Sequence, residues 1–234
     1  MLKAMMDRPS LETQQHDRKA VIFGSSGLVG RYLLDLLLQD SFYSKVYVVV
    51  RTLTGLNHPS CEEHIIDFDC LDEYRFLFDV DDVYCCLGTT IKQAKTVEQF
   101  RRVDYEYPAT IARLAQEAGV KQLAIVSSVG SDACSRNYYL ATKGKLEQYL
   151  RSLMGLTVLV FKPGLLLGKR KQFRLAEYIG KLVFPLLSIF LIGSLSRMKA
   201  IAAQDVAKAM FHSIQYPSDT LDFYYDDMKL AGNK

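Results

Sequence analysis

Short, largely apolar runs alternate along most of this chain with longer amphipathic stretches, and that alternation is what most limits the folds open to it. Residues 19–23 read as a first strand, 28–39 as a helix, 45–51 as a valine-rich strand, and 63–67 and 82–87 as two more strands. A long helical stretch is expected over 96–118, disturbed at Pro108, which lacks a donor and crowds the preceding turn, and closed by Gly119. A strand over 122–127, a helix over 138–153 and a strand over 157–161 follow, with a closing strand expected at 221–225. Strands that are apolar throughout, rather than on alternate residues, belong in a parallel sheet covered on both faces. The prediction is an α/β fold with a doubly wound parallel sheet.

With 234 residues, 49% of them hydrophobic, the chain is long enough for a sizeable core and lacks the bias of disordered or fibrous sequences. Residues 1–17 are polar and without period and read as a flexible leader; 18–234 read as a single domain in which about 164–234 forms a small C-terminal lid region. A net charge of +3, spread along the chain, argues against nucleic acid as a partner and suits an anionic small molecule. Five cysteines with no C-x-x-C pair and no signal peptide ahead of them point to a reducing compartment, and the cytoplasm is the expected location. Cys85 and Cys86 adjoin on a strand, so they point to opposite faces and read as small hydrophobes. His58, Cys61, His64 and Cys70 have a spacing that suits zinc, but they bracket a strand and a short polar connection, and no metal is expected.

Directly after the first strand stands Gly24-Ser25-Ser26-Gly27-Leu28-Val29-Gly30, and the helix begins within it. Glycines there allow a tight turn and bring backbone amides close to a pyrophosphate, to which the helix N-terminus adds a favourable partial charge. The spacing G-x-x-G-x-x-G departs by one residue from the G-x-G-x-x-G fingerprint, yet its place between first strand and first helix supports nucleotide binding. At the end of the second strand, where selectivity for NAD(H) usually calls for an acid, stand Arg51 and Thr52. Arginine cannot accept the ribose hydroxyl protons but pairs with a 2′-phosphate, so NADP(H) is favoured over NAD(H); the alternative is a solvated arginine at a strand end.

A tyrosine four residues before a lysine on a helix shares its face, where the ammonium favours ionisation of an otherwise weakly acidic phenol. Tyr139 and Lys143 have this spacing, and so do Tyr225 and Lys229. Only Tyr139 follows a strand ending in Ser127-Ser128 and a glycine-containing loop, so Tyr139 and Lys143 are the candidate acid–base pair. One of the two serine hydroxyls is expected to donate to a substrate carbonyl oxygen and the other to cap its own turn, with the assignment open.

Five ordered motifs, G-S-S-G-L-V-G, C-C-L-G-T-T at 85–90, R-V-D-Y at 102–105, Y-L-A-T-K at 139–143 and F-K-P-G-L-L-L at 161–167, together resemble the atypical short-chain dehydrogenases/reductases. Within these, the chain is most similar to the NAD(P)-binding group that includes the Tat-interacting oxidoreductase. The resemblance implies a Rossmann fold with NADPH across the carboxyl ends of the strands. It also implies that Tyr139 gives or takes a proton and that Lys143 binds the nicotinamide ribose. It further implies that Leu87 and Gly88, with Thr89 beside them, touch the cofactor through backbone and that Asp67 and Phe68 lie near the adenine. Pro163, Leu166 and Arg174 would approach the nicotinamide or phosphate side. Many relatives carry a further hydroxyl after the strand where this chain has Val129-Gly130, a departure that bears on the third catalytic hydroxyl.

The stretch 182–193 is almost wholly apolar and follows the basic residues Lys169, Arg170, Lys171 and Arg174. It is shorter than the ~20 residues that span a bilayer and is interrupted by Pro185, so it reads as cover for a substrate pocket or, alternatively, as a peripheral membrane or partner contact. The expected activity is reduction of a small carbonyl substrate, or oxidation of the alcohol, by tyrosine–lysine acid–base chemistry; the alternative is an NADP(H)-binding regulatory or sensor protein with little turnover.

Overall fold

The computed structural model describes residues 18–168 and 193–233. Among these residues nine strands run in chain order as β1 (Lys19–Phe23), β2 (Lys45–Val50), β3 (Cys61–Ile65), β4 (Asp82–Cys85), β5 (Gln122–Val126), β6 (Thr157–Phe161), β7 (Leu166–Leu167), β8 (Ile201–Ala202) and β9 (Asp222–Phe223). Seven of them form one sheet in the order β3-β2-β1-β4-β5-β6-β9, with every neighbouring pair parallel, while β7 and β8 pair separately. This is the doubly wound α/β arrangement that the alternating pattern predicts.

Seven helical segments of the described chain are α1 (Gly30–Gln39), α2 (Ile91–Ala94), α3 (Val97–Arg101), α4 (Tyr107–Glu117), α5 (Tyr138–Ser152), α6 (Ala203–Gln215) and α7 (Tyr225–Ala231). Because alternate residues of a strand face opposite ways, Ala20 and Ile22 of β1 join one core and Val21 and Phe23 the other. On the first face Leu33 and Leu37 of α1 meet Val206, Met210 and Phe211 of α6; on the second, Ile111 and Ala115 of α4 and Leu146 and Leu150 of α5 cover the sheet. Each of these side chains is buried, and each leucine or isoleucine so removed from water stabilises the fold by about 1.5–3 kcal/mol before the entropy of ordering it is counted.

The strand order reverses between β1 and β4, which opens a crevice at their carboxyl ends. Cys85 lies in the second core and Cys86 packs against the first, the opposite facing expected of adjacent strand residues. Residues 203–215, within the stretch expected to form the lid, build α6 and close one face of the sheet. Residues 222–223, in the expected closing strand, pair with Val160 and Phe161 as the seventh strand of the sheet. The basic residues at 169–171 and 174, and the apolar stretch except Gly193, lie outside the described residues.

The stretch 96–118 is the disturbed helix expected, with helical backbone angles at both joins. It is α3, a π turn over Arg102–Glu106, and then α4. Pro108, at the start of α4, has no amide to donate back into the preceding turn, and the disturbance falls in that turn. The widened turn lies just before it and carries the buried Asp104. Short 3₁₀ turns over Phe68–Phe78, interrupted at Cys70 and Tyr74 and unforeseen, follow β3 and are capped by Asp67, whose carboxylate accepts the Asp69 amide at 2.9 Å, so β3 ends before that residue.

Candidate cofactor and acid–base site

The glycine run leaves the carboxyl end of β1 and wraps into α1. Gly24 has φ +84°, and a Cβ there would lie 2.8 Å from the Cys86 carbonyl group at the end of β4. At Gly30 a Cβ would come within 2.1 Å of the Gly24 carbonyl oxygen. Only glycine permits these approaches, and they seat the loop in the crevice at the strand reversal, with the first turn of α1 opening from it. Within the loop the Gly27 amide donates to the Gly24 carbonyl at 3.0 Å, Ser25 and Val29 are buried, Leu28 is half-buried and Ser26 is exposed. The cradle fits a pyrophosphate, since a backbone without Cβ atoms at a helix N-terminus is what close approach of phosphate oxygens needs. A Cβ on Gly168 would meet the Leu28 side chain at 2.6 Å, so the end of β7, with Leu166 half-buried, lies over this loop.

Arg51 and Thr52 follow β2 and are exposed. The chain beyond them is held by Glu63 of β3, whose carboxylate accepts from the Thr54 hydroxyl at 2.6 Å and from the Thr54 amide at 3.0 Å. Asp67 is exposed at the cap of the 3₁₀ segment, and the Phe68 ring turns inward against Phe23 and Tyr107. Leu87, Gly88 and Thr89 form the turn after β4, beside the glycine loop. Pro163 is buried after β6, and its carbonyl accepts the Val129 amide at 3.0 Å. Arg174 lies outside the described residues.

Asn137 starts α5 by accepting the amides of Tyr139 and Leu140, and Gly144 lets the 132–133 loop lie directly on the helix, where a Cβ would be 2.2 Å from the Ala133 nitrogen. Successive turns then carry Tyr139, Lys143 and Glu147 on one face. Tyr139 is half-buried against the Phe100 ring, with centroids 5.8 Å apart. Lys143 is buried, its ammonium 2.9 Å from Asp104 Oδ1. Burial opposes its charge, but Asp104 and then Tyr139 outweigh that effect and hold its pKa above the ordinary lysine value. The second Asp104 oxygen accepts the Thr89 amide at 2.8 Å.

The two serines have different surroundings. Ser127 is buried and donates to Glu147 Oε1 at 2.5 Å; Glu147 Oε2 lies 2.8 Å from Lys162 Nζ, which also reaches Asp222 at 3.1 Å. Ser128 is half-buried, and its hydroxyl makes only a long contact, 3.3 Å, with the Val129 carbonyl. The rejected pair at the C-terminus has another use, since Lys229 binds Asp205 at 3.0 Å. His64 packs between the rings of Tyr47 and Phe76, and among the described residues no group of three or more histidines, cysteines or acids is arranged to hold a metal ion. Among the same residues no helix is long and apolar enough to cross a membrane.

Asp104, Glu147 and Lys162 were not singled out from the sequence. Glu147 carried a usable signal, being four residues beyond Lys143 on the same helix face. Asp104 stood unremarked inside R-V-D-Y, and nothing in the strand-end sequence F-K-P marks Lys162 as buried.

Sheet order and glycine cradle together define a Rossmann-type α/β protein. A solved structure of the Bordetella bronchiseptica enzyme WbmH in complex with NAD+ superposes with a TM-score of 0.69 at 16% identity, covering 90% of this chain and 76% of that one. The HIM1 family model matches residues 61–186, and the chain belongs to that family. It is 32% identical over 225 residues to Protein HTATIP2 of Rattus norvegicus, spanning 94% of this chain and 88% of the relative. It is 29% identical over 204 residues to Protein FMP52, mitochondrial, of Debaryomyces hansenii, covering 85% and 88% of the two chains. Such mitochondrial relatives overturn the expected purely cytoplasmic location: cysteine content reports a reducing milieu, which does not separate one intracellular compartment from another.

Proposed function

We propose that this chain is an NADPH-dependent oxidoreductase that reduces a small carbonyl compound or oxidises the corresponding alcohol. The observation that carries this reading is the buried ammonium of Lys143 on the helix face of Tyr139, next to the turn 87–89 and the glycine cradle. Bound NADPH supplies a hydride. Lys143 would hold the nicotinamide ribose, and the Tyr139 hydroxyl would give its proton to the carbonyl oxygen as the hydride reaches the carbonyl carbon. Ser128, with the less engaged of the two hydroxyls, donates a hydrogen bond to that oxygen. Arg51, exposed at the end of β2, would pair with the 2′-phosphate of NADP(H).

NADPH and NADH titrations followed by cofactor fluorescence, then NADPH consumption with a panel of aldehydes and quinones, test the proposal. Tyr139→Phe is expected to keep NADPH affinity while losing roughly 100-fold or more in turnover. Arg51→Ala is expected to weaken NADPH about tenfold and NADH little. Equal turnover in the phenylalanine variant would end the acid–base assignment. One observation favours a second reading, an NADP(H)-binding regulatory or sensor protein: the Ser127 hydroxyl is committed to Glu147 rather than to Tyr139. Tight NADPH binding with no consumption across the panel would support that protein instead.

A further inference from the structure

Asp104 is a buried acid that proton delivery by Tyr139 does not itself require. Its side chain is 1% exposed, and it sits in the π turn between α3 and α4. A carboxylate is expensive to bury unless it is paired and hydrogen-bonded, and π turns occur most often at functional positions. The two oxygens of Asp104 face different segments: Oδ1 forms an ion pair with Lys143 Nζ of α5 at 2.9 Å, off hydrogen-bond geometry, and Oδ2 accepts the Thr89 amide of the turn after β4 at 2.8 Å. Gly88 completes the arrangement, since a Cβ there would lie 3.6 Å from Asp104 Oδ1 and 4.0 Å from Lys143 Nζ. One carboxylate thus joins the catalytic helix to the turn read as lining the cofactor.

We propose that Asp104 is a positioning residue that fixes the ammonium of Lys143 beside Tyr139 with one oxygen and the 87–89 turn with the other, shaping the nicotinamide-ribose side of the site. The roles of Lys143 and Tyr139 in this inference rest on the oxidoreductase reading. Lys143 is faced by Asp104 from the π turn, by Tyr139 on its own helix and by the Cys85 thiol from β4. Glu147, one helical turn on, is taken up by Ser127 and Lys162. Without the negative charge the ammonium is no longer balanced, and Lys143 sheds its proton at lower pH. Under the oxidoreductase reading the reaction needs the charged ammonium, so its alkaline limb moves down.

The test compares full-length wild type, Asp104→Asn and Asp104→Glu by NADPH fluorescence titration from pH 6 to 10 and by the pH profile of carbonyl reduction. The asparagine variant is expected to bind NADPH about tenfold more weakly at pH 7, with the loss growing as Lys143 sheds its proton, and to shift the alkaline limb down by roughly one pH unit. The glutamate variant keeps the charge, so its limb is expected at the wild-type position while its affinity falls. A folded asparagine variant with unchanged affinity and an unmoved limb overturns the proposal. If that variant does not fold, wild-type NADPH affinity in the glutamate variant overturns it instead. A wild type that binds NADPH without turnover sinks the reductase reading alone, and the affinities of the variants then decide the role of Asp104. A wild type that binds no NADPH overturns both.

Discussion

The hydroxyls of Ser127 and Ser128 are adjacent in the chain but not in what holds them. Ser127 is locked to a buried carboxylate at 2.5 Å, whereas Ser128 has one long contact to a backbone carbonyl. Ser127→Ala is therefore expected to cost about 1–3 kcal/mol of stability, because Glu147 loses a buried donor, while Ser128→Ala leaves stability within about 0.5 kcal/mol. Under the proposed function the second change instead lowers kcat/KM roughly 10- to 100-fold with carbonyl substrates. Thermal unfolding and steady-state kinetics on the two variants check this, and the reverse pattern would reassign the hydroxyls. Spacing alone left the choice open because it places both residues at a strand end and says nothing of which one meets Glu147. Tyr139 and Lys143 were legible for the opposite reason: their relation is local to one helix.

At the scale of elements, Glu147 and Lys162 tie α5 to the ends of β5, β6 and β9 through Ser127, Lys162 and Asp222. Removing one member of a buried ion pair typically costs roughly 3–5 kcal/mol, because the other charge is left without compensation. Lys162 keeps Asp222, so Glu147→Gln is expected to cost about 2 kcal/mol, read as a lower denaturant midpoint with an unchanged slope. An unaltered midpoint would mean that this network does not hold the helix to the sheet. The seven strands of the large sheet and α1 followed from apolar runs and the glycine motif to within a few residues, since burial on both sheet faces writes itself into local sequence, whereas β7 and β8 did not. The disturbance before Pro108 was legible from the proline, but its form as a π turn was not, because such a turn has no composition of its own.

For the molecule as a whole, the buried groups with raised pKa values set an alkaline limit. Burial pushes the phenols of Tyr43 and Tyr84 well up and the Cys85 thiol to about 11; Lys143 and Lys162 are raised because their carboxylate partners outweigh burial. Each group binds its proton more tightly folded than unfolded. Its contribution is therefore fully present below the unfolded pKa and lost as pH rises through the folded value. Stability is expected to hold to about pH 8.5, where an unfolded thiol titrates, and to fall more steeply beyond about pH 10, where unfolded tyrosine and lysine follow. Melting temperatures from pH 7 to 11.5 check this, and a constant value to pH 11 would contradict it.

By itself the sequence determined the doubly wound sheet, the glycine cradle and the tyrosine–lysine pair, because strand burial, backbone freedom and helical spacing act over a few neighbouring residues. The tertiary structure decided which polar groups share a buried site: Asp104 with Lys143 and Thr89, and Ser127 with Glu147 and Lys162. Such pairs stand far apart along the chain, and a charge or hydroxyl is stable out of water only where the fold brings its partner within hydrogen-bonding distance.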